Sequence, residues 1–177
     1  CSAPFAANGV SIDSRSLEPG DLFVALLGEG RDGHDVVDAA FAAGASAALV
    51  GRGRIDPKKA ANMQKALVEV DDVKVALEAL ANAARARSSA YITAVTGSVG
   101  KTSVKEALGL ALSKSGKTFA SEKSFNNHIG VPLSLARMPQ DCAYGVFEVG
   151  MNHAGEIDLL VRMVKPQCAI ITHIGTA

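Results

Sequence analysis

One octapeptide constrains this chain more than any other feature: Thr96-Gly97-Ser98-Val99-Gly100-Lys101-Thr102-Ser103. A β-branched run, Tyr91-Ile92-Thr93-Ala94-Val95, leads into it. Val104, Ala107, Leu108, Ala111 and Leu112 leave it at the spacing of one helix face. A strand, a glycine turn and a helix N-terminus together form a phosphate site. The glycines allow the tight turn, backbone N–H groups face the anion, and the helix dipole adds partial positive charge. Gly97, Ser98, Val99, Gly100, Lys101, Thr102 and Ser103 are therefore expected to bind a nucleotide. Lys101 would reach the β/γ-phosphates and the Thr102 hydroxyl would sit on Mg²⁺. Val95 stands where the longer G-x-x-x-x-G-K-[ST] pattern has its first glycine. The expectation therefore rests on the strand–turn–helix context more than on the string.

Length and composition set the frame for this loop. A chain of 177 residues admits one large domain or two small ones. Apolar residues at 48% and charged residues at 20% are enough to build a core, and the lack of Trp makes that core aliphatic. The 18 basic and 18 acidic residues balance, which argues against a nucleic-acid surface or a strong membrane-surface field. No apolar run approaches the roughly 20 residues that span a bilayer. Cys1, Cys142 and Cys168 are odd in number, widely spaced and without a CxxC, so neither a disulfide framework nor a zinc site is indicated. Cys142 and Cys168 read as buried thiols, and a reduced, cytoplasmic setting fits. The start lacks the regions of a signal peptide and has no initiator Met, so it is expected to be cut inside a domain.

Along the chain, Glu18-Pro19-Gly20-Asp21 is a turn by composition and 22–26 a buried strand. A polar, glycine-rich loop over 28–34 opens a helix over 35–43 that stops at Gly44. A strand over 45–50 follows, then a short helix begun by Asp56-Pro57, a brief strand over 68–70 and a helix over 72–87. A domain boundary is expected at Ser88-Ser89, giving domains 1–88 and 89–177. Beyond it, strands at 91–95, 117–120, 143–149 and 168–172 alternate with helices at 101–114, 131–138 and 155–164. Such alternation predicts an α/β fold: a small N-terminal α/β domain, then a partial doubly wound, mostly parallel sheet carrying the phosphate loop. Strands 146–149 and 169–172 are nearly continuous apolar runs, as burial on both faces requires.

Ligands of doubly wound sheets bind at the carboxyl ends of the strands. Glu148 is a carboxylate inside an apolar run, and burial obliges it to find a cation or donors. It reads as a Mg²⁺ ligand in preference to one half of a strand-end salt bridge. Gly150-Met151-Asn152-His153 extends that strand end. His173, after the last strand, is equally compatible with a ligand contact and with a hydrogen-bonded structural role. Asn126 and Asn127, in the loop over 121–130, fit anion binding and simple turn formation equally well.

Four segments taken together, TGSVGKTS, SFNNHIGVPLSL, FEVGMNHAGEI and ITHIGTA, closely resemble the Mur ligases. SIDSR, PGDLFVAL and DGHDVVDAAFAAGASAALV resemble the N-terminal domain of the same family, so the likeness covers nearly the whole chain. The segment over 148–157 resembles the branch that joins D-alanyl-D-alanine to UDP-N-acetylmuramoyl-tripeptide. The resemblance implies an ATP- and Mg²⁺-dependent ligase of peptidoglycan precursor synthesis. ATP would phosphorylate the terminal carboxylate, and the dipeptide amine would displace phosphate from the resulting acyl phosphate. It implies ATP on 97–103, Mg²⁺ on Thr102 and Glu148, and catalytic roles for Lys101, Asn126 and Asn127. It also implies that the UDP-sugar end is held by Asp13, Ser14 and Arg15 and by Gly30, Asp32, Gly33 and His34. A monomer without nucleic-acid partners is expected. The family usually has Asn where His173 stands. Its metal-binding His, its carbamylated Lys and its C-terminal domain would fall beyond Ala177. The chain is thus expected to be cut within its ATP-binding domain and, alone, to bind nucleotide weakly and ligate nothing. Folylpolyglutamate-type or sister Mur ligases, and a non-catalytic nucleotide-binding module, are the alternatives.

Overall fold

The computed structural model describes residues 4–28, 30–63, 65–122, 125–150 and 155–175. The chain divides into two compact units, 1–78 and 79–177.

The first unit is built on a four-stranded sheet. Its strands are β1 (Gly9–Ser11), β2 (Asp21–Val24), β5 (Ala47–Gly51) and β6 (Ala66–Val70), in that spatial order and all parallel. Every residue of β2 and β5 is buried, which is why 22–24 and 47–50 read as unbroken apolar runs. Phe23, Val37, Ala40, Ala48 and Val50 lie at the centre of its core. Between β2 and β5 the sequence predicts a loop over 28–34 and a helix over 35–43, and it is within the loop that the structure differs. The loop forms a minimal antiparallel hairpin, β3 (Leu27–Gly28) with β4 (Arg31–Asp32), and the helical segment begins as a 3₁₀ turn before α1 (Val37–Ala42). Two-residue strands carry too little periodicity to be read from a sequence, and the same holds for the three residues of β1. At the end of α1 the chain reverses through Ala45 N donating to Ala40 O and Gly44 N to Phe41 O, the paired bonds of a glycine-closed helix. The short helix α2 (Pro57–Asn62) starts as expected, with the Asp56 carboxylate accepting from Lys58 N and Lys59 N.

The boundary between the units falls within α3 (Val73–Arg87), whose N-terminus is capped by Asp72. The second unit then alternates β7 (Tyr91–Thr96), α4 (Lys101–Leu112), β8 (Thr118–Ala120), α5 (Gly130–Arg137), β9 (Tyr144–Glu148), α6 (Glu156–Val164) and β10 (Cys168–Ile171). Its sheet is parallel throughout, in the order β10-β7-β9-β8. Ile92, Ala94, Val131, Leu135, Phe147, Leu160 and Val164 fill the core, with Phe119 tilted against Phe147 at 5.7 Å between ring centroids. Arg85 donates to the carbonyls of Val164 (2.7 Å) and Lys165 (2.9 Å), occupying acceptors that α6 leaves open at its end. The doubly wound grammar is present. No helix among the described residues is long and apolar enough to cross a membrane.

Three sequence expectations are corrected. β10 alternates half-buried and exposed residues, with Ile171 60% exposed, so it is not covered on both faces. Cys142 is buried but Cys168, the first residue of β10, is only partly so. The inner face of α4 is rotated from the apolar stripe: Ala107 and Ala111 are exposed, and the most buried residue of the helix is Lys105. Leu108 and Leu112 remain on the inner side.

A compact polar node ties the 3₁₀ turn to the end of β5. Asp32 Oδ1 accepts from His34 N at 2.9 Å and lies 2.5 Å from His34 Nδ1, while Arg54 meets the other oxygen. Gly51 N–H donates to His34 Nε2 at 2.8 Å, which places the ring proton on Nδ1, facing Asp32. The backbone N–H of His34, helped by the His34 ring and Arg54, holds the Asp32 carboxyl down to about 2 from 3.8, against the opposing effect of burial. A lowered folded pKa contributes stability that is complete above the unfolded value and is lost as pH falls through the folded one. Asp32→Ala is therefore expected to cost about 1 kcal/mol at neutral pH through the lost cap. It is also expected to flatten the fall in thermal midpoint between about pH 4 and about pH 2. Circular-dichroism melts across that range read both effects, and parallel curves for variant and parent would contradict the assignment.

Candidate functional site

Because β7 and β9 are neighbours with Val95 opposite Glu148, the loop that follows β7 and the carboxylate that ends β9 emerge side by side. Glu148 is 2% exposed. Its Oε2 accepts from Thr102 Oγ1 at 2.8 Å and its Oε1 from Asn126 Nδ2 at 2.9 Å. Its backbone N–H donates to Ser121 Oγ at 3.1 Å, and Gly150 N–H to Asn126 O at 2.8 Å. Among the described residues no ion pair involves Glu148, and the two described donors to its carboxylate are neutral. A buried carboxylate and an adjacent hydroxyl are hard oxygen donors. Such a pair suits Mg²⁺, which takes one or two protein oxygens and completes its shell with water and phosphate. No group of three or more His, Cys, Asp or Glu gathers as a metal cage among the described residues.

The phosphate loop is shaped as much by the end of β10 as by its own glycines. Gly97 has φ +134° and Gly100 φ +81°. A Cβ on Gly97 would run into the Thr172 hydroxyl and stand 2.8 Å from His173 O, so close approach as well as backbone conformation requires glycine there. Thr172 N donates to Thr96 O at 2.9 Å and Thr172 Oγ1 to Val99 O at 2.6 Å. Ser98 N donates to His173 O at 2.7 Å, and Gly175 N to Ser98 Oγ at 3.1 Å. The Ser98 N–H is therefore used within the fold, where the motif alone suggests it faces an anion. Lys101 Nζ folds back onto Gly97 O at 2.6 Å, which keeps the cation on the loop at the start of α4. Val99 is 64% exposed.

The two asparagines separate. Asn126 joins Glu148, whereas the Asn127 carboxamide accepts from Ile129 N (3.0 Å) and Gly130 N (2.8 Å) and starts α5. His173 has an exposed side chain and takes part through its carbonyl. Met151, Asn152 and His153 lie outside the described residues. In the first unit, Asp13 and Arg15 form a local pair, with Arg15 Nε 2.9 Å from Asp13 Oδ1 and the guanidinium 75% exposed. Ser14 lies between them, partly exposed. Gly30 is in an exposed left-handed turn of the hairpin, and Gly33 opens the 3₁₀ turn. Asp32 and His34 belong to the polar node with Arg54, and both ring nitrogens of His34 are engaged there. Arg54, Ser121 and Lys105 are polar groups of these clusters that sequence reasoning did not single out. Ser121 sits at the end of β8, where the strand-end rule already points. Lys105 is hidden in a helix whose apolar spacing draws attention elsewhere.

Comparison with known proteins places these features in a family. The Mur ligase family catalytic domain matches residues 7–88, and the Mur ligase middle domain matches residues 95–177. The UDP-N-acetylmuramoyl-tripeptide–D-alanyl-D-alanine ligase of Rickettsia prowazekii is 42% identical over 96% of this chain and 36% of its own length. The Bacillus subtilis protein of that name is 40% identical over 95% and 36%. Among solved structures, the diaminopimelate-type D-alanyl-D-alanyl ligase of Acinetobacter baumannii superposes with a TM-score of 0.81 at 37% identity, covering 97% of this chain and 37% of that one. The MurF ligase of Thermotoga maritima, in complex with ADP, gives 0.76 at 28% identity over 96% and 38%. The chain thus spans a little over a third of the length of these relatives. With both matched segments in order, together leaving out only 1–6 and 89–94, this chain belongs to the Mur ligase family.

Proposed function

We propose that this chain is the UDP-sugar- and nucleotide-binding part of an ATP-dependent amide ligase. The whole protein would join D-alanyl-D-alanine to UDP-N-acetylmuramoyl-tripeptide in peptidoglycan precursor synthesis. The observation that carries the proposal is the placement of the buried Glu148 carboxylate on Thr102 and Asn126, directly beside the phosphate loop. The naming of the relatives supports the choice of acceptor and donor.

The chemistry follows from the groups present. A carboxylate oxygen of the tripeptide attacks the γ-phosphorus of ATP, releasing ADP and leaving an acyl phosphate. The dipeptide amine then attacks the acyl carbon, the C–O bond to phosphate breaks, and the amine loses a proton as the amide forms. Both steps pass negative charge across phosphoryl oxygens, and fixed donors at those oxygens lower the barrier. Lys101 and the backbone amides of 99–103 supply such donors at the N-terminus of α4. Mg²⁺, held by Glu148 and Thr102, would neutralise charge between the phosphates. Asn126 orients the carboxylate of Glu148, and Asn127 sets the turn that presents Asn126. Asp13, Ser14, Arg15, Gly30, Asp32, Gly33 and His34, in the first unit, are assigned to the UDP-sugar. UDP-linked substrates and ATP place the reaction in the cytoplasm, and the enzyme works as a monomer.

Phosphate release by the full-length protein, measured with each candidate acceptor, tests the reading. Stimulation by D-alanyl-D-alanine in the presence of the UDP-tripeptide is expected, and stimulation by glutamate on a folate substrate instead would overturn it. Lys101→Ala in the same protein is expected to lower the rate of phosphoryl transfer by about 10²-fold or more. Binding of the UDP-substrate, read by calorimetry, should stay within about threefold of the parent. Retained turnover would remove Lys101 from its assigned role.

A further inference from the structure

Among the described residues Lys105 is the only buried lysine or arginine, and its side chain is fully buried. It lies one helical turn beyond Lys101, on the face of α4 that packs against β8 and β9. Its Nζ donates to Ser121 O at 2.6 Å and stands 3.0 Å from the carboxylate of Glu106, whose side chain is 65% exposed. Ser121 is itself buried, at 1% exposure. Its N–H donates to Val146 O at 2.9 Å, and its hydroxyl accepts from Glu148 N at 3.1 Å. A chain of close contacts thus runs from the ammonium, through one serine, to the backbone of the residue whose carboxylate meets Thr102.

An ammonium at this point is costly to bury, and an unbranched apolar side chain would fill the same space without that cost. Helix propensity does not ask for it either, since Leu and Met serve as well in a helix interior. What the lysine adds is a charge-assisted bond to a carbonyl just where β8 gives way to the loop that carries Asn126. That loop returns to β9 through Asn126, so Glu148 is held from the Ser121 side and from the Asn126 side at once.

We propose that Lys105 is a positioning residue for the metal-binding carboxylate. It touches neither nucleotide nor ion. It fixes Ser121, and through it the strand-end backbone that sets how Glu148 meets Thr102. The inference rests on the reading of Glu148 as a Mg²⁺ ligand.

The test is the affinity of the full-length protein for a non-hydrolysable ATP analogue, titrated with and without Mg²⁺, alongside thermal midpoints. Glu148→Gln should abolish the strengthening that Mg²⁺ gives to the parent. Lys105→Met should reduce that strengthening about tenfold, while affinity without Mg²⁺ stays within about twofold. Ser121→Ala removes the acceptor of the Glu148 N–H without touching a buried charge. It should reproduce the selective loss at smaller size, and it stands in for Lys105→Met if that variant does not fold. A Lys105→Met protein with undiminished Mg²⁺ strengthening, or with equal losses with and without the ion, overturns the positioning role while leaving the metal assignment intact. Undiminished strengthening in Glu148→Gln overturns both.

Discussion

The carboxylate of Glu148, buried at the end of a central strand, is the constraint around which the second unit is arranged. A carboxylate so far from water must be met by donors, and the two described donors come from two separate elements, with a third group holding the Glu148 backbone. Thr102 comes from the first turn of α4 and Asn126 from the loop before α5, while Ser121, at the end of β8, accepts from the Glu148 backbone N–H. Each can reach Glu148 only because β9 lies between β7 and β8 in a parallel sheet. Strand order is therefore also a statement about chemistry: it delivers the loops that follow β7 and β8 to one residue at the end of β9. The two described donors on the carboxylate oxygens are neutral, and a carboxylate beside a hydroxyl is a pair of hard oxygen ligands of the kind Mg²⁺ takes.

The phosphate loop depends on a second support. It lacks the first glycine of the longer motif, and residues 172–175 take over part of the shaping. Thr172 reaches Val99 O, His173 O receives Ser98 N, and Gly97 is bare where Thr172 passes. The loop is thus fixed in a conformation by hydrogen bonds with residues 172–175, just after β10, so that fewer degrees of freedom remain to be lost when an anion arrives. The polar node of the first unit follows a similar logic on a smaller scale. Asp32 satisfies a backbone N–H, a ring nitrogen and a guanidinium together, and so fixes a turn that has little apolar burial of its own.

What the sequence conveyed, and what it did not, divides by physical range. The alternating strands and helices of the second unit were legible because β7 and β9 are long, buried apolar runs separated by amphipathic helices. The phosphate loop and Glu148 were legible because polar groups stand out at strand ends. β1 and the hairpin of β3 and β4 were not, since two or three residues define no period. The buried face of α4 is not legible in the spacing, because Lys105, whose ammonium meets a carbonyl and a carboxylate, occupies a position that hydropathy assigns to the outside. The apolar string of β10 predicts cover on both faces, although its residues include an exposed Ile171. The different duties of Asn126 and Asn127 were beyond the sequence, because only the return of the loop to β9 separates them.

The central claim is that Glu148 and Thr102 share one divalent ion with the phosphates of a bound nucleotide. Anomalous diffraction from crystals of the full-length protein grown with Mn²⁺ and a non-hydrolysable ATP analogue tests it directly. The account predicts a single Mn²⁺ peak within about 2.0–2.3 Å of a Glu148 carboxylate oxygen and of Thr102 Oγ1, bridging to phosphate oxygens over α4. A Mn²⁺ peak coordinated elsewhere, with Glu148 still bound only to Thr102 and Asn126, would contradict it.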